Sequence, residues 1–402
     1  MRKKYSVTVA VLTAISLIPA GAVLERASAA REARWYQYRF DGRRQGFNPN
    51  ETQITPANVG SLARRKVVRF PFSGPTPPVV FQDTLYMFAL SLVDPDQPLL
   101  DETTIFALNA ETGATNWTRT IDCKSGVPVG VPAISARYDL LLVTLAGACG
   151  TSAGDGSIYA LDPATGSLEW VTVAGTSPGT PALLGMAAYI RNTDSEGRHI
   201  DSIDVPTGST NWTFRPNNPL SRLGEPSIGA GVLYFRQKTG GVRMLTALDP
   251  SSGRRLWTKA SATGAPSLGL GRAYVGCDRG ICSYNQAGDL KWSFAQGNGK
   301  IAIANSTVYV ACTGTSLCAL DGKTGALLWS TVLGVRGKQV TSITVAGGIV
   351  FAGTAGSIEK VDAATGDYLG SFGPGTPRTG PVVANGRVYI VSKRRLFIYA
   401  LS

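Results

Sequence analysis

Six cysteines, one histidine and two clusters of acidic side chains are the groups in this 402-residue sequence whose types and spacing could do chemistry. A single histidine, His199, sets aside a His-based triad and a multi-histidine metal site. It sits in a hairpin beside Arg198 and is expected at the surface. The run Asn192-x-Asp194-x-Glu196-Gly197 echoes an oxygen-rich calcium loop. The bidentate acid expected at its twelfth position is Ile203, so an exposed polar hairpin is the better reading. Asp94, Asp96, Asp101 and Glu102 read in the same way as a solvated acidic loop. No phosphate-cradling glycine motif precedes a helix, so nucleotide chemistry has no support.

The cysteines read as an oxidised set. Cys277 and Cys282 flank a tight hairpin, with a two-residue turn expected at Arg279-Gly280 that sets the two cysteines directly opposite each other. Cys312 and Cys318 occupy the matching place one repeat later, around a loop one residue longer. Cys123 and Cys149 remain to pair across a longer loop. Closing such short hairpins adds about 2 kcal/mol each.

Charge points to a different kind of site. The formal net charge is +12, and residues 31–70 alone hold nine basic residues against three acidic ones. Arg64, Arg65 and Lys66 form one basic triplet, and Lys393, Arg394 and Arg395 form another near the opposite end of the chain. Brought together, they would suit an anionic partner such as an envelope polymer, lipid headgroups or an acidic protein face. The alternative is an ordinary charged outer edge that discourages sheet pairing.

The elements that must position these residues form a repeat. The string Ala160-Leu161-Asp162-Pro163-Ala164-Thr165-Gly166-Ser167-Leu168-Glu169-Trp170 recurs with its Trp at 117, 170, 212, 257, 292 and 329. A worn copy ends at Gly370, where Trp is expected. A period near 40 of strand-like units means a repeat architecture. Each unit has a small-residue strand after a Gly/Pro turn and then a strand like Thr307-Val308-Tyr309-Val310, expected on the outer side. A strand like Ile158-Tyr159-Ala160-Leu161 follows, then the Asp-x-x-Thr-Gly turn and the Leu-x-Trp strand. Four such strands make one antiparallel sheet that buries its faces by stacking on its neighbours.

The last repeat supplies three strands and stops, while residues 62–70 form a spare strand near the start. Pairing the spare with the last sheet removes both open edges and gives eight blades. Residues 30–61 before it are polar and mixed, with Trp35, Tyr36, Tyr38 and Phe40 as anchors. They are expected to form an irregular arm with at most one helical turn near residues 56–62.

The motif Ala-x-Asp-x-x-Thr-Gly-x-x-x-Trp resembles the repeat of the pyrroloquinoline quinone (PQQ) family of eight-bladed propellers, over nearly all of residues 62–402. The resemblance implies an all-β propeller of four-stranded antiparallel blades. In it, Trp117, Trp170, Trp212, Trp257, Trp292 and Trp329 pack between blades on Gly113, Gly166, Gly208, Gly253, Gly325 and Gly366. The family includes PQQ-dependent alcohol dehydrogenases. These hold PQQ over the central channel, with a Ca²⁺ bound by carboxylate and amide side chains, an Asp base and commonly a disulfide between adjacent cysteines. This chain has no adjacent cysteines, and no residue in it takes over the calcium ligands or the base. The family also includes assembly-factor propellers of bacterial envelopes, which dock partner proteins.

A basic start, an apolar run over residues 5–24 and Ala27-Ser28-Ala29 read as a signal peptide cut after Ala29. No Cys adjoins the cut, so lipid attachment is not expected. The expectation is therefore a secreted, extracellular or periplasmic monomer with a leader (1–29), an arm (30–61) and a propeller (62–402). It has no later transmembrane span, no nucleic-acid partner and no cofactor, and it binds a protein or an anionic envelope component. The alternative is a quinoprotein dehydrogenase using PQQ with calcium.

Overall fold

Short apolar runs punctuated by glycine turns fold into eight antiparallel sheets arranged as a β-propeller. The computed structural model describes residues 34–70, 75–92, 101–124, 130–149, 155–260, 262–334, 339–374, 377 and 380–402. Blade 6 shows the plan: an inner strand Ile301–Ala304, then Thr307–Ala311, Ser316–Asp321 and the outer strand Leu327–Val332. The Thr307 strand type, expected on the outer side, lies second from the axis. Val308, Tyr309 and Val310 are all buried, because neighbouring blades cover both faces of that strand. The outer strand carries Leu327, Leu328 and Val332 to solvent.

The ring closes with the spare strand. Leu62–Arg69 runs antiparallel to Arg395–Leu401, from Leu62 opposite Leu401 to Arg69 opposite Arg395. It is the outer strand of blade 8, whose other strands are Val382–Ala384, Arg387–Ser392 and Arg395–Leu401. Leu85, Met87 and Leu108 of blade 1 share a buried cluster with Val382, Tyr389 and Ile398 of blade 8, which seals the seam. A single 3₁₀ turn, Val59–Ser61, precedes the strand.

The repeated motif explains how blades are fastened. The motif Asp accepts backbone N–H bonds within its own turn, as Asp162 Oδ1 does from Ala164 (2.7 Å) and Thr165 (2.9 Å). This Asx turn leads into a glycine with left-handed backbone, Gly166 at φ +73. The preceding blade's Trp lies flat on that glycine, where a Cβ would come 2.7 Å from the Trp117 ring. The indole N–H then donates to the carbonyl one residue after the Asp. Trp117 reaches Pro163, Trp170 Val205, Trp212 Pro250, Trp292 Gly322 and Trp329 Ala363. A tyrosine from the second strand often joins on the same carbonyl, as Tyr86 does on Pro163 and Tyr274 on Gly322.

Three seams depart from the pattern. In the copy that is one residue shorter, Gly288 receives Trp257, a docking glycine not anticipated because the shortening shifts it out of register. Gly113 meets no Trp: it packs on Val68 and Lys66 of the closing strand, and Tyr389 alone donates to Ala110. Gly370 faces open space. There Lys360 stands where other blades have Ala or Ser; its buried Nζ donates to the Val59 carbonyl at 3.1 Å and lies over Phe372 at 5.7 Å. Blade 8 has a turn split between the two chain ends, and a lysine, longer than an indole N–H, spans to it.

Burial pushes the phenols of Tyr86, Tyr234 and Tyr274 up to about 12. The fold therefore favours the neutral phenol. That contribution is complete below about pH 10 and lost as pH rises through about 12. The urea midpoint should stay level up to about pH 10 and fall steeply toward about pH 12. A midpoint that stays level through about pH 12 would show that these phenols add nothing.

The cysteine register differs from expectation. Cys277 pairs with Gly280, and Cys282 with Val275, so the turn is Asp278-Arg279 rather than Arg279-Gly280. The left-handed Gly280, φ +97, closes this two-residue turn, which lies one residue earlier than expected. The Cys277–Cys282 disulfide therefore runs diagonally across the pair, with its Cα atoms 5.9 Å apart. Cys312–Cys318 does the same in blade 6, where Cys318 lies opposite Val310. Cys123 lies opposite Cys149 along the backbone; their side chains are outside the described residues. The two described disulfides fit an oxidising compartment. Among the described residues, no helix is long and apolar enough to cross a membrane.

Candidate functional site

Strand alternation sorts the connections onto two faces. The Asp-x-x-Thr-Gly turns lie on one. On the other, the linker face, lie the starts of the inner strands, the hairpins between second and third strands, and the linkers between blades. Both disulfides, the His199 hairpin and Lys393-Arg394-Arg395 are on the linker face.

The arm occupies the centre of the ring. An inner strand has an unpaired edge facing the axis, and its buried N–H and C=O groups need partners. Residues 35–48 supply them to all eight blades in turn, each time at the last residue but one of the inner strand. Trp35 exchanges backbone bonds with Val80, and Tyr36 O accepts from Ile134 N. The Gln37 side-chain amide serves as a backbone unit, accepting from Leu183 N at 2.7 Å and donating to Leu183 O at 3.3 Å. Gly42 O then accepts from Ile228, Arg43 O from Leu268, Gln45 O from Ile303 and Gly46 O from Val345. The arm ends at blade 8 with Asn48 Nδ2 on Val383 O at 2.8 Å and the Glu51 carboxylate on Gly386 N at 2.9 Å.

The sequence showed an irregular arm with aromatic anchors but not its position. Its signals were weak: two small residues, Gly42 and Gly46, and three amides, Gln37, Gln45 and Asn48, now all buried. Gly42 is needed for close approach, since a Cβ would sit 2.6 Å from the Leu183 carbonyl oxygen.

On the linker-face side of the arm lies a cavity of about 230 Å³. Tyr38, Arg39 and Arg44 line it from the arm, and Lys300, Thr341 and Ser342 are among its other walls. No carboxylate is among its lining residues. Arg44 is 2% exposed; it donates to Thr180 O at 3.0 Å and lies 5.5 Å from the Tyr38 ring centre. Arg39 donates to Ser267 Oγ at 3.2 Å and to the Ile301 carbonyl. Burial lowers the proton affinity of both guanidiniums, and Arg44 lowers that of Arg39 further. Arginine keeps its charge regardless.

His199 is a correction: it is 4% exposed, not at the surface. Its Nε2 lies 3.2 Å from Asp201 Oδ2 and its Nδ1 3.6 Å from Asp194 Oδ2. Burial opposes its charged form, but the Asp201 hydrogen bond and the two carboxylates outweigh it and raise its pKa. Arg215 bonds Asp194 and pairs with Glu196 at 3.1 Å, so the acids of the calcium-like run are spent on an internal network. Ile203, at the run's twelfth position, is in the core. Among the described residues, no three acidic, Cys or His groups converge to hold a metal. The acidic loop of Asp94 and Asp96 lies outside the described residues, as do the side chains of Asp101 and Glu102.

The two basic triplets share one sheet but not one place. Arg64 and Lys66 lie opposite Tyr399 and Ile398, toward the turn face, with Arg65 between them at the bulge. Lys393, Arg394 and Arg395 form the hairpin at the other end, joined by Arg69 opposite Arg395. All seven side chains are exposed. Arg69 is the member that the sequence reading missed.

Residues 60–201, 101–269 and 243–402 match a family model described as outer membrane protein assembly factor BamB. No curated protein matches the chain. Among solved structures, BamB from Moraxella catarrhalis is similar at 17% identity and a TM-score of 0.62, covering 84% of this chain and 99% of that one. Quinohemoprotein alcohol dehydrogenase from Comamonas testosteroni is similar at 16% identity and 0.65, covering 94% and 82%. A europium-containing methanol dehydrogenase is similar at 13% and 0.65, covering 92% and 98%. At these identities the likeness speaks for the fold alone.

Proposed function

Because the chain belongs to the PQQ-repeat family described as outer membrane protein assembly factor BamB, we propose that it is a non-catalytic docking propeller of the cell envelope. The observation that carries this is the arm. Residues 35–48 cross the channel and bond every inner strand, and it is over this channel that the resemblance has the family's dehydrogenases hold their quinone. The cavity beside it has basic and aromatic groups that suit an acidic quinone, but it presents no carboxylate for a calcium ion or for a catalytic base. The quinone–calcium pair does not fit these residues. Secretion, with removal of a leader over residues 1–29, belongs to the same proposal and agrees with the disulfides.

The test is titration of the purified protein with PQQ and Ca²⁺, followed by dye reduction with alcohols. The expected result is no calcium-dependent saturable binding and no reduction. Calcium-dependent binding with alcohol-driven reduction would replace the docking function with a dehydrogenase.

For an anionic envelope partner, the basic hairpin Lys393-Arg394-Arg395 with Arg69 is the proposed contact. Retention on phosphatidylglycerol vesicles at low salt should fall roughly tenfold in Arg394→Ala/Arg395→Ala and vanish at about 0.5 M salt. Retention indifferent to salt would remove this contact.

A further inference from the structure

We propose that the axial cavity is a binding site for a compact oxyanion of the carboxylate or phosphate type, gripped by Arg39 and Arg44. This goes beyond the docking function and does not depend on it. A guanidinium offers five N–H donors in a fixed fork. Of the bonds described, Arg44 makes one, to a carbonyl, and Arg39 makes two, to a hydroxyl and a carbonyl. Neither pairs with a carboxylate among the described residues. Glu225, whose charge Arg44 feels, pairs through Oε1 with Arg191 at 3.1 Å and is not among the cavity's lining residues. Two like charges facing one cavity, Arg44 buried and Arg39 half-buried, are unfavourable unless a counter-charge lies between them.

Two further features point the same way. The arm holds both arginines through strained turns: Arg39 at φ +60, Phe40 at +89 and Arg44 at +53. Such backbone persists only where its surroundings over-determine it, and it clusters at ligand clamps. Here the bonds from Phe40 N to Gln37 O and from Arg44 N to Asp41 O hold the turns. Thr341 and Ser342 add hydroxyl-bearing side chains to the cavity's walls. At about 230 Å³, the space falls below the roughly 300–1,000 Å³ of pockets for drug-sized ligands. That favours a small anion. Lys300, exposed at the rim, gives the mouth a positive charge that draws an anion in.

The test is calorimetric titration of the full chain with sodium phosphate and with sodium succinate at fixed ionic strength, with sodium chloride as control. One of the two should bind saturably at one site and raise the melting temperature beyond the chloride control. Which one does so identifies the anion. Arg39→Gln and Arg44→Gln should each weaken it at least about tenfold, as for loss of a charge-assisted pair. Should either variant fail to fold, Lys300→Gln, altered only at the exposed rim, should weaken binding about two- to fivefold. Neither phosphate nor succinate exceeding chloride would overturn the site, as would unchanged affinity in a folded Arg39→Gln or in Lys300→Gln. These titrations contain no quinone or calcium, so their outcome is independent of the dehydrogenase test.

Discussion

Trp292→Ala destabilises the propeller by about 3–5 kcal/mol, the range for removing a large buried aromatic. Trp292 is 8% exposed and buried, whereas the other five blade-docking tryptophans are only half-buried. Its ring lies on Gly325 and 5.7 Å from the Tyr274 ring. Its Nε1–H bonds Gly322 O at 3.1 Å, a carbonyl that Tyr274 also bonds at 3.0 Å. The effect should therefore come from packing rather than from the hydrogen bond. Trp292→Phe keeps most of the ring and should cost only about 1–2 kcal/mol. Urea unfolding of the two variants side by side is the measurement. Equal losses would mean that the indole N–H, not the ring, fastens the blades.

Gly42→Val should be comparably damaging, though it removes nothing. The added carbons would press on the Leu183 carbonyl oxygen and on Ile228 Cγ2, 2.6 and 2.8 Å from the nearest Cβ position. Overpacking at one site costs about 1–3 kcal/mol. The arm cannot slide away, because Tyr36, Gln37, Arg43 and Gln45 are each tied to a different blade. Relief comes only by breaking several of those bonds, each contributing about 0.5–1.5 kcal/mol. The total loss should exceed about 3 kcal/mol, with new protease cleavage between residues 34 and 50. Gly60→Ala is the control: nothing lies within 4 Å of its Cβ position, and it should stay within about 0.5 kcal/mol of wild type. A Gly42→Val protein as stable as Gly60→Ala would mean that the arm contributes little to the ring.

The propeller was legible because repetition amplifies a weak signal. One Asp-x-x-Thr-Gly-type turn before a Trp says little; six copies with a Trp and a worn seventh set the sheet count, and the leftover strand at residues 62–69 supplied the closure. The arm was illegible for the opposite reason. Its bonds are made by backbone groups and by single amides such as Gln37 and Asn48, which leave no periodic pattern. Polarity also misled. His199 and Asp194 sit in a hairpin that reads as solvated, yet Asp201 and Arg215 satisfy the histidine internally. The site arginines were counted as charge, since only the fold places Arg39 and Arg44 on the axis.

The arm also fixes an order of events. Its residues precede every blade in sequence, yet their partners reach as far as Val383 and Gly386 in blade 8. A growing or refolding chain thus holds its centrepiece from the start and can seat it completely only when the last sheet forms. Contacts of such long sequence separation slow the search for the native state. Until then, eight inner edges and the closing strand wait unpaired, in the form most open to pairing between chains. The arm's last bonds form together with completion of the ring, and a chain lacking blade 8 would lose both.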